Sequence, residues 1–144
     1  MNTLAIQISA ANEYGERMAI LRIDGRELLD IVRDVEAPIT AKAGEADLAG
    51  KYHYLSVRDV LHPSRQLLGE PIRPLLEYDG KVSILECECG CEGCWPLIMH
   101  VDVTETQVIW QDFHQVHRDN WEYPNDFRFV FDRSQIEAAL KIMA

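Results

Sequence analysis

Apolar and polar residues alternate from Leu4 to Ser9, with Leu4, Ile6 and Ile8 on one side, as in a half-buried strand. Met18 to Ile23 gives a second strand, and the polar stretch holding Asn12 and Gly15 makes the pair a hairpin. Asp24 then reads as a helix N-cap, with Glu27 three residues on completing a capping box. From Arg26 to Val35 the residues Leu28, Leu29, Ile31, Val32 and Val35 recur at helical spacing, and the charges Arg33, Asp34 and Glu36 read as the solvated face. Ala37 to Lys51, with Pro38, Gly44 and Gly50, reads as a connection. Ser56 to Leu61 predicts a short helix capped by Ser56 and stopped by Pro63, and Ser64 to Leu68 a helical turn before Gly69. Two prolines between Glu70 and Pro74 rule out a central strand there.

The second half reads as β. Val82 to Glu86 is a short strand; Leu97, Met99, Val101 and Val103 then alternate with Ile98, His100, Asp102 and Thr104. Thr104 to Thr106 suits a turn, and Gln107 to Phe113 a return strand with Val108 and Trp110 on one face. Phe127, Phe129 and Phe131 mark a further strand that offers three rings to a core. Ser134 and Glu137 form the capping box of a last helix, whose apolar face carries Ile136, Ala139, Leu140 and Met143. Arg118, Trp121 and Tyr123 stand in a loop-like segment with Asn120, Pro124 and Asn125, where large rings either fold back on the core or serve a partner. Strands in runs with amphipathic helices between and after them predict an α+β fold. The expectation is one domain over residues 1–144, mainly antiparallel sheet with helices packed on one face.

Composition narrows the function classes. Hydrophobic residues make up 47% of the 144, too many for a disordered chain. With 24 acidic and 14 basic side chains the net charge is −10, and both halves are acidic, which argues against a duplex nucleic-acid reader or an anionic-membrane binder. No apolar run approaches the roughly 20 residues needed to span a bilayer. Met1 to Ala10 lacks a basic start followed by an apolar stretch, so a cytoplasmic location is expected.

All four cysteines fall within Cys87-Glu88-Cys89-Gly90-Cys91-Glu92-Gly93-Cys94. Bridges inside so short a segment would remove little unfolded-state entropy, so the clustering points to metal binding or thiol chemistry before covalent bracing. The spacing is not that of a zinc ribbon, whose ligands come as two separated pairs. Cys87 and Cys89, two apart in an extended backbone, would place both sulfurs on one side, and Gly90 and Gly93 would let Cys94 return to them. Zinc is the expected ion. Cys87, Cys89 and Cys94 are the expected ligands, with Cys91 or His117 as the fourth and His114 as a further histidine within reach. The alternatives are a redox pair of Cys91 with Cys94, a nucleophilic Cys94 or Cys91 served by one of the five histidines, and a metal-free turn in a protein-interaction domain. No Gly-rich phosphate loop, Gly-x-Ser-x-Gly elbow or His-Glu-x-x-His helix is present, which weakens an enzyme reading.

Cys87-x-Cys89-Gly90-x-x-Gly93-Cys94-x-Pro96-Leu97, followed by Val108-x-Trp110-x-x-Phe113 and His117-Arg118, resembles a group of uncharacterised bacterial proteins. Leu68-Gly69-Glu70-Pro71, Trp121-x-Tyr123 and Phe131-Asp132-Arg133 are similar too. The resemblance implies a shared fold and cysteine turn and carries no activity. It also implies that Cys87, Cys89 and Cys94 belong to the shared pattern and that Cys91 is an addition. The leading expectation is therefore a small binding or interaction module with a structural zinc at the cysteine turn, meeting an unidentified protein or small molecule.

Overall fold

The computed structural model describes residues 1–142. Strands β1 (Leu4–Ile8) and β2 (Ala19–Ile23) pair antiparallel in the register Leu4↔Ile23 to Ile8↔Ala19, as the alternation predicts. Asp24 is not a helix cap. Asp24 and Gly25 both have positive φ, 52° and 86°, and form the two-residue turn that folds β2 onto β3 (Arg26–Glu27). An Asp-Gly pair suits such a turn because both central residues are left-handed. The Asp24 carboxylate instead accepts from Asn2 Nδ2 at 2.7 Å and the Thr3 amide at 2.8 Å, and these bonds hold it below the usual carboxylate range.

Helix α1 spans Leu28–Lys42, with Glu27 as its N-cap, and so runs well past the expected end at Val35. Pro38 is accommodated inside it, and the segment read as a connection supplies its last turn. The fully buried residues are Leu28, Val32, Glu36 and Thr40, one every four positions, which places a carboxylate in line with the apolar stripe. The reading of Glu36 as part of a solvated face is therefore corrected. Its Oε1 accepts from the Gly50 amide at 2.9 Å, and its Oε2 accepts from the Tyr52 and Tyr123 hydroxyls, each at 2.6 Å. Gln115 Nε2 donates to the Tyr52 hydroxyl at 3.2 Å. Gly50 has to be glycine here: its φ is +69°, and a Cβ would meet Arg33 Cβ at 2.6 Å.

The larger sheet has the order β4-β6-β7-β8-β9, all pairs antiparallel: β4 (Tyr52–Tyr54), β6 (Lys81–Cys87), β7 (Leu97–Val103), β8 (Gln107–Gln115) and β9 (Phe129–Asp132). The short β5 (Glu77–Tyr78) also pairs with β6. Two bulges break simple alternation. One lies between Ser83 and Leu85 of β6, a strand whose residues from Val82 to Glu86 are all buried, so both of its faces are covered. The other lies on β8 opposite Ile98 to His100, where Asp112 has φ 53°. That extra residue resets the phase, so Val108, Trp110, Phe113 and Gln115 are all buried. The first three residues of β7 are buried together, so its period of two holds in sequence and not in burial.

Helix α2 (Val57–Val60) begins after Ser56 as expected, although the Ser56 hydroxyl makes no capping bond. Helix α3 (Arg133–Ala139) packs on β1, β8 and β9, whereas α1 packs on β2 and β3. Its cap is Asp132, which accepts from the Gln135 amide at 3.1 Å, and Ser134 lies in the first turn with its hydroxyl donating to the same carboxylate. Glu137 pairs with Arg133 at 3.0 Å in place of closing a capping box. Ile136 and Leu140 are buried as expected, and Met143 lies outside the described residues. Trp121 folds back to 2% exposure and Tyr123 reaches Glu36, so both loop rings belong to the interior. The fold is α+β with antiparallel sheets.

Two outcomes follow. Asp132→Ala should cost about 1 kcal/mol through loss of the cap, and Ser134→Ala clearly less. Chemical denaturation of the two variants decides between the caps. Burial holds the Glu36 carboxyl above the usual glutamate range, so stability linked to it is full in acid and falls as pH rises through its folded value. Tyr123→Phe removes one donor and should cost about 1–3 kcal/mol. The cost should be larger near neutral pH than in acid, because the ionised carboxylate loses more. A pH-independent cost would contradict this.

Candidate metal centre

The cysteine segment is the connection between β6 and β7. Cys87 is the last residue of β6, half-buried and paired with Tyr52 of β4. The chain then leaves the strand at once: the Gly90 amide donates to the Cys87 carbonyl at 2.9 Å, and the Cys94 amide to the Cys91 carbonyl at 3.3 Å. Two consecutive tight turns therefore bring the sulfurs together, in place of the extended Cys87–Cys89 backbone expected from the spacing. Gly90 (φ 85°) and Gly93 (φ 77°) provide the left-handed positions.

The Sγ atoms of Cys87, Cys89 and Cys94 all lie within 4.8 Å of one another. Cys89 and Cys94 are exposed, and none of the four cysteines is in a disulfide. Zinc–thiolate bonds of about 2.3 Å put tetrahedral sulfurs roughly 3.8 Å apart, so the group needs at most a small inward movement to grip an ion. Cys91, also exposed, and His117 fall outside this group. The His117 Nε2 lies 3.2 Å from the Gly93 carbonyl, and its ring stacks on Trp95 with centroids 6.0 Å apart. His114 Nε2 pairs with Asp119 at 3.0 Å.

The turn is tied to the fold at several points. Glu86 Oε1 accepts the Gly93 amide at 3.0 Å, and burial holds this carboxyl above its usual range. Arg73 grips Asp59 of α2 through two bonds of 2.7 and 2.8 Å and also pairs with Glu92 of the turn. Arg73 is carried by a loop organised around the buried Gln66, whose Nε2 donates to the Leu76 and Ser83 carbonyls at 3.0 Å and whose Oε1 accepts from the Ile72 amide at 2.9 Å. On the other side Trp95 meets Trp121 edge-on at 5.8 Å, and the Arg118 guanidinium lies 4.9 Å from the Trp95 ring. Arg118 is itself fixed by Glu45 through bonds of 3.0 and 2.8 Å. Sequence reasoning missed Arg73, Glu86 and Glu45. These contacts span up to 73 positions and carry no local signature.

Crowding splits the thiols. The Cys91 amide and the neighbouring Cys87 and Cys94 thiols hydrogen-bond the Cys89 sulfur and bring its pKa down to about 7. Cys94 is pushed up to about 12, first by its hydrogen bonds to Cys87 and Cys89 and then by desolvation and their charge. Cys91 is raised for the same reason, by Cys89. Without a cation the cluster thus releases one proton readily and resists releasing more. A divalent ion would reverse this, because it stabilises each thiolate in turn.

Beside the cluster an open groove of about 600 Å³ is lined in part by Cys87, Cys89, His53, Tyr14 and Glu88. Comparison with protein-family models, with curated proteins and with solved structures finds no match for the chain. Among the described residues, no helix is long and apolar enough to cross a membrane.

In the metal-free protein, brief alkylation near neutral pH should label Cys89 first and Cys94 last, read by mass spectrometry of partly modified chains. Preferential labelling of Cys94 would show that the sulfurs do not share their protons in this way.

Proposed function

We propose that the chain is a small cytoplasmic binding module in which Cys87, Cys89 and Cys94 hold a zinc ion with a structural role. The convergence of three unbridged sulfurs within 4.8 Å carries this reading. The donor set is entirely soft, which suits zinc over magnesium or calcium. The ion would close two tight turns whose crowded thiols otherwise oppose one another, so metal binding adds to folding free energy. The resemblance noted for the cysteine segment, which sets Cys91 apart from the other three, supports the same ligand set. A thiol enzyme built on Cys94 or Cys91 has less support, because both thiols are held above their ordinary range and so are poor nucleophiles.

Protein purified without chelator should carry about one equivalent of zinc and lose thermal stability when the metal is removed. Cys94→Ser should abolish retention, whereas Cys91→Ser should keep it. Less than about a tenth of an equivalent of any transition metal, with all four thiols freely titratable in the folded state, would reject the reading.

A further inference from the structure

The three sulfurs leave one tetrahedral position unassigned. The Cys91 thiol touches the Cys89 sulfur but does not join the group of three, and the His117 ring is held by Trp95 and the Gly93 carbonyl. A closed structural site would have four protein ligands; three with access from outside is the arrangement of a site that keeps a position for an incoming molecule. Access is present, because the open groove of about 600 Å³ is lined by Cys87 and Cys89, and its volume is that of a small-molecule site.

The charge on the groove selects what can enter. Its two guanidiniums are already committed: Arg58 to Glu16 at 3.4 Å, and Arg73 to Asp59 and Glu92. Glu88, between two of the ligands in sequence, is exposed and has no ion-pair partner among the described residues. A divalent ion on three thiolates carries a net charge of −1, so the metal adds to the negative field. Tyr14, 79% exposed, lines the same groove, and an aromatic ring attracts a cation that comes to its face.

We propose that a metal held by Cys87, Cys89 and Cys94 keeps its fourth position for an external ligand that joins a soft donor to a positive charge, as an aminothiol does. This rests on the metal reading above: the ion braces the turn through its three protein ligands, and the fourth position takes a ligand from outside. The ligand thiol loses its proton to solvent and its sulfur takes the open position, while its ammonium lies in the field of Glu88 and beside Tyr14.

Cobalt(II)-loaded full-length protein tests this, since sulfur-to-cobalt absorption reports the number of thiolates. Before addition, wild type and Cys91→Ser should show the same three-sulfur spectrum. Cysteamine should raise the absorption by about a third in both, as three sulfurs become four. Cysteamine should bind more tightly than 3-mercaptopropionate, and Glu88→Gln should reduce that ratio by about threefold at low salt. Comparing one ratio across two proteins cancels the intrinsic difference between the thiols.

A wild-type spectrum already showing four sulfurs, and three in Cys91→Ser, would mean that Cys91 closes the site and would overturn the proposal. So would cysteamine that leaves the spectrum unchanged, or that strips the cobalt without a four-sulfur stage. An unchanged ratio in Glu88→Gln would overturn the choice of a cationic ligand. Absence of any sulfur-to-cobalt band before thiol is added would instead reject the metal reading itself.

Discussion

Glu36 is the group around which the chain is assembled. A carboxylate at 0% exposure can be held only if its oxygens find donors, because its desolvation cost is otherwise several kcal/mol. Here the donors are hydroxyls and an amide, with no cation, and they come from two distant parts of the chain: Gly50 with Tyr52 of β4, and Tyr123 in the loop after β8. Meeting that demand fixes α1 against the edge of the larger sheet. It also fixes Tyr52 opposite Cys87, and it anchors the loop that delivers His117, Arg118 and Trp121 to the cysteine turn. The cysteine turn is thus held in place by a polar requirement some distance from it.

The cysteine turn has the opposite character. It lies at the surface and is strapped down by contacts at its edges, Glu86 to the Gly93 amide and Glu92 to Arg73. Its centre is crowded with thiols that compete for protons. A scaffold that fixes the rim of a loop and leaves like-charged donors facing one another at its middle is suited to a cation. The tight turns determine which sulfurs meet, and they leave Cys91 touching Cys89 but outside the group of three, although it sits in the middle of the motif.

Surface charge and site charge act together. The net charge of −10 is carried partly by side chains in the groove beside the cluster. Its arginines are consumed in ion pairs, Arg58 with Glu16 and Arg73 with Asp59 and Glu92, so the groove keeps its negative field.

The sequence alone determined the elements whose apolar spacing answers to one local rule: the β1–β2 hairpin, the first turns of α1, the β7–β8 pair and the helix at the C-terminal end. It also placed the thiol chemistry in one turn, because residues close in sequence must be close in space. Tertiary structure decided what local rules cannot weigh. Asp24 could cap a helix or turn a hairpin, and pairing of β2 with β3 chose the turn. Glu36 looks like a solvated charge until Tyr52 and Tyr123, distant in sequence, arrive to bury it. Asp132 and Ser134 both suit a cap, and the end of β9 selected the first. Arg73, Glu86 and Glu45 reach the site only through long-range packing. Local spacing sets which backbone conformations are cheap, whereas the burial of a charge or the choice between two equal caps depends on partners that the fold alone brings near.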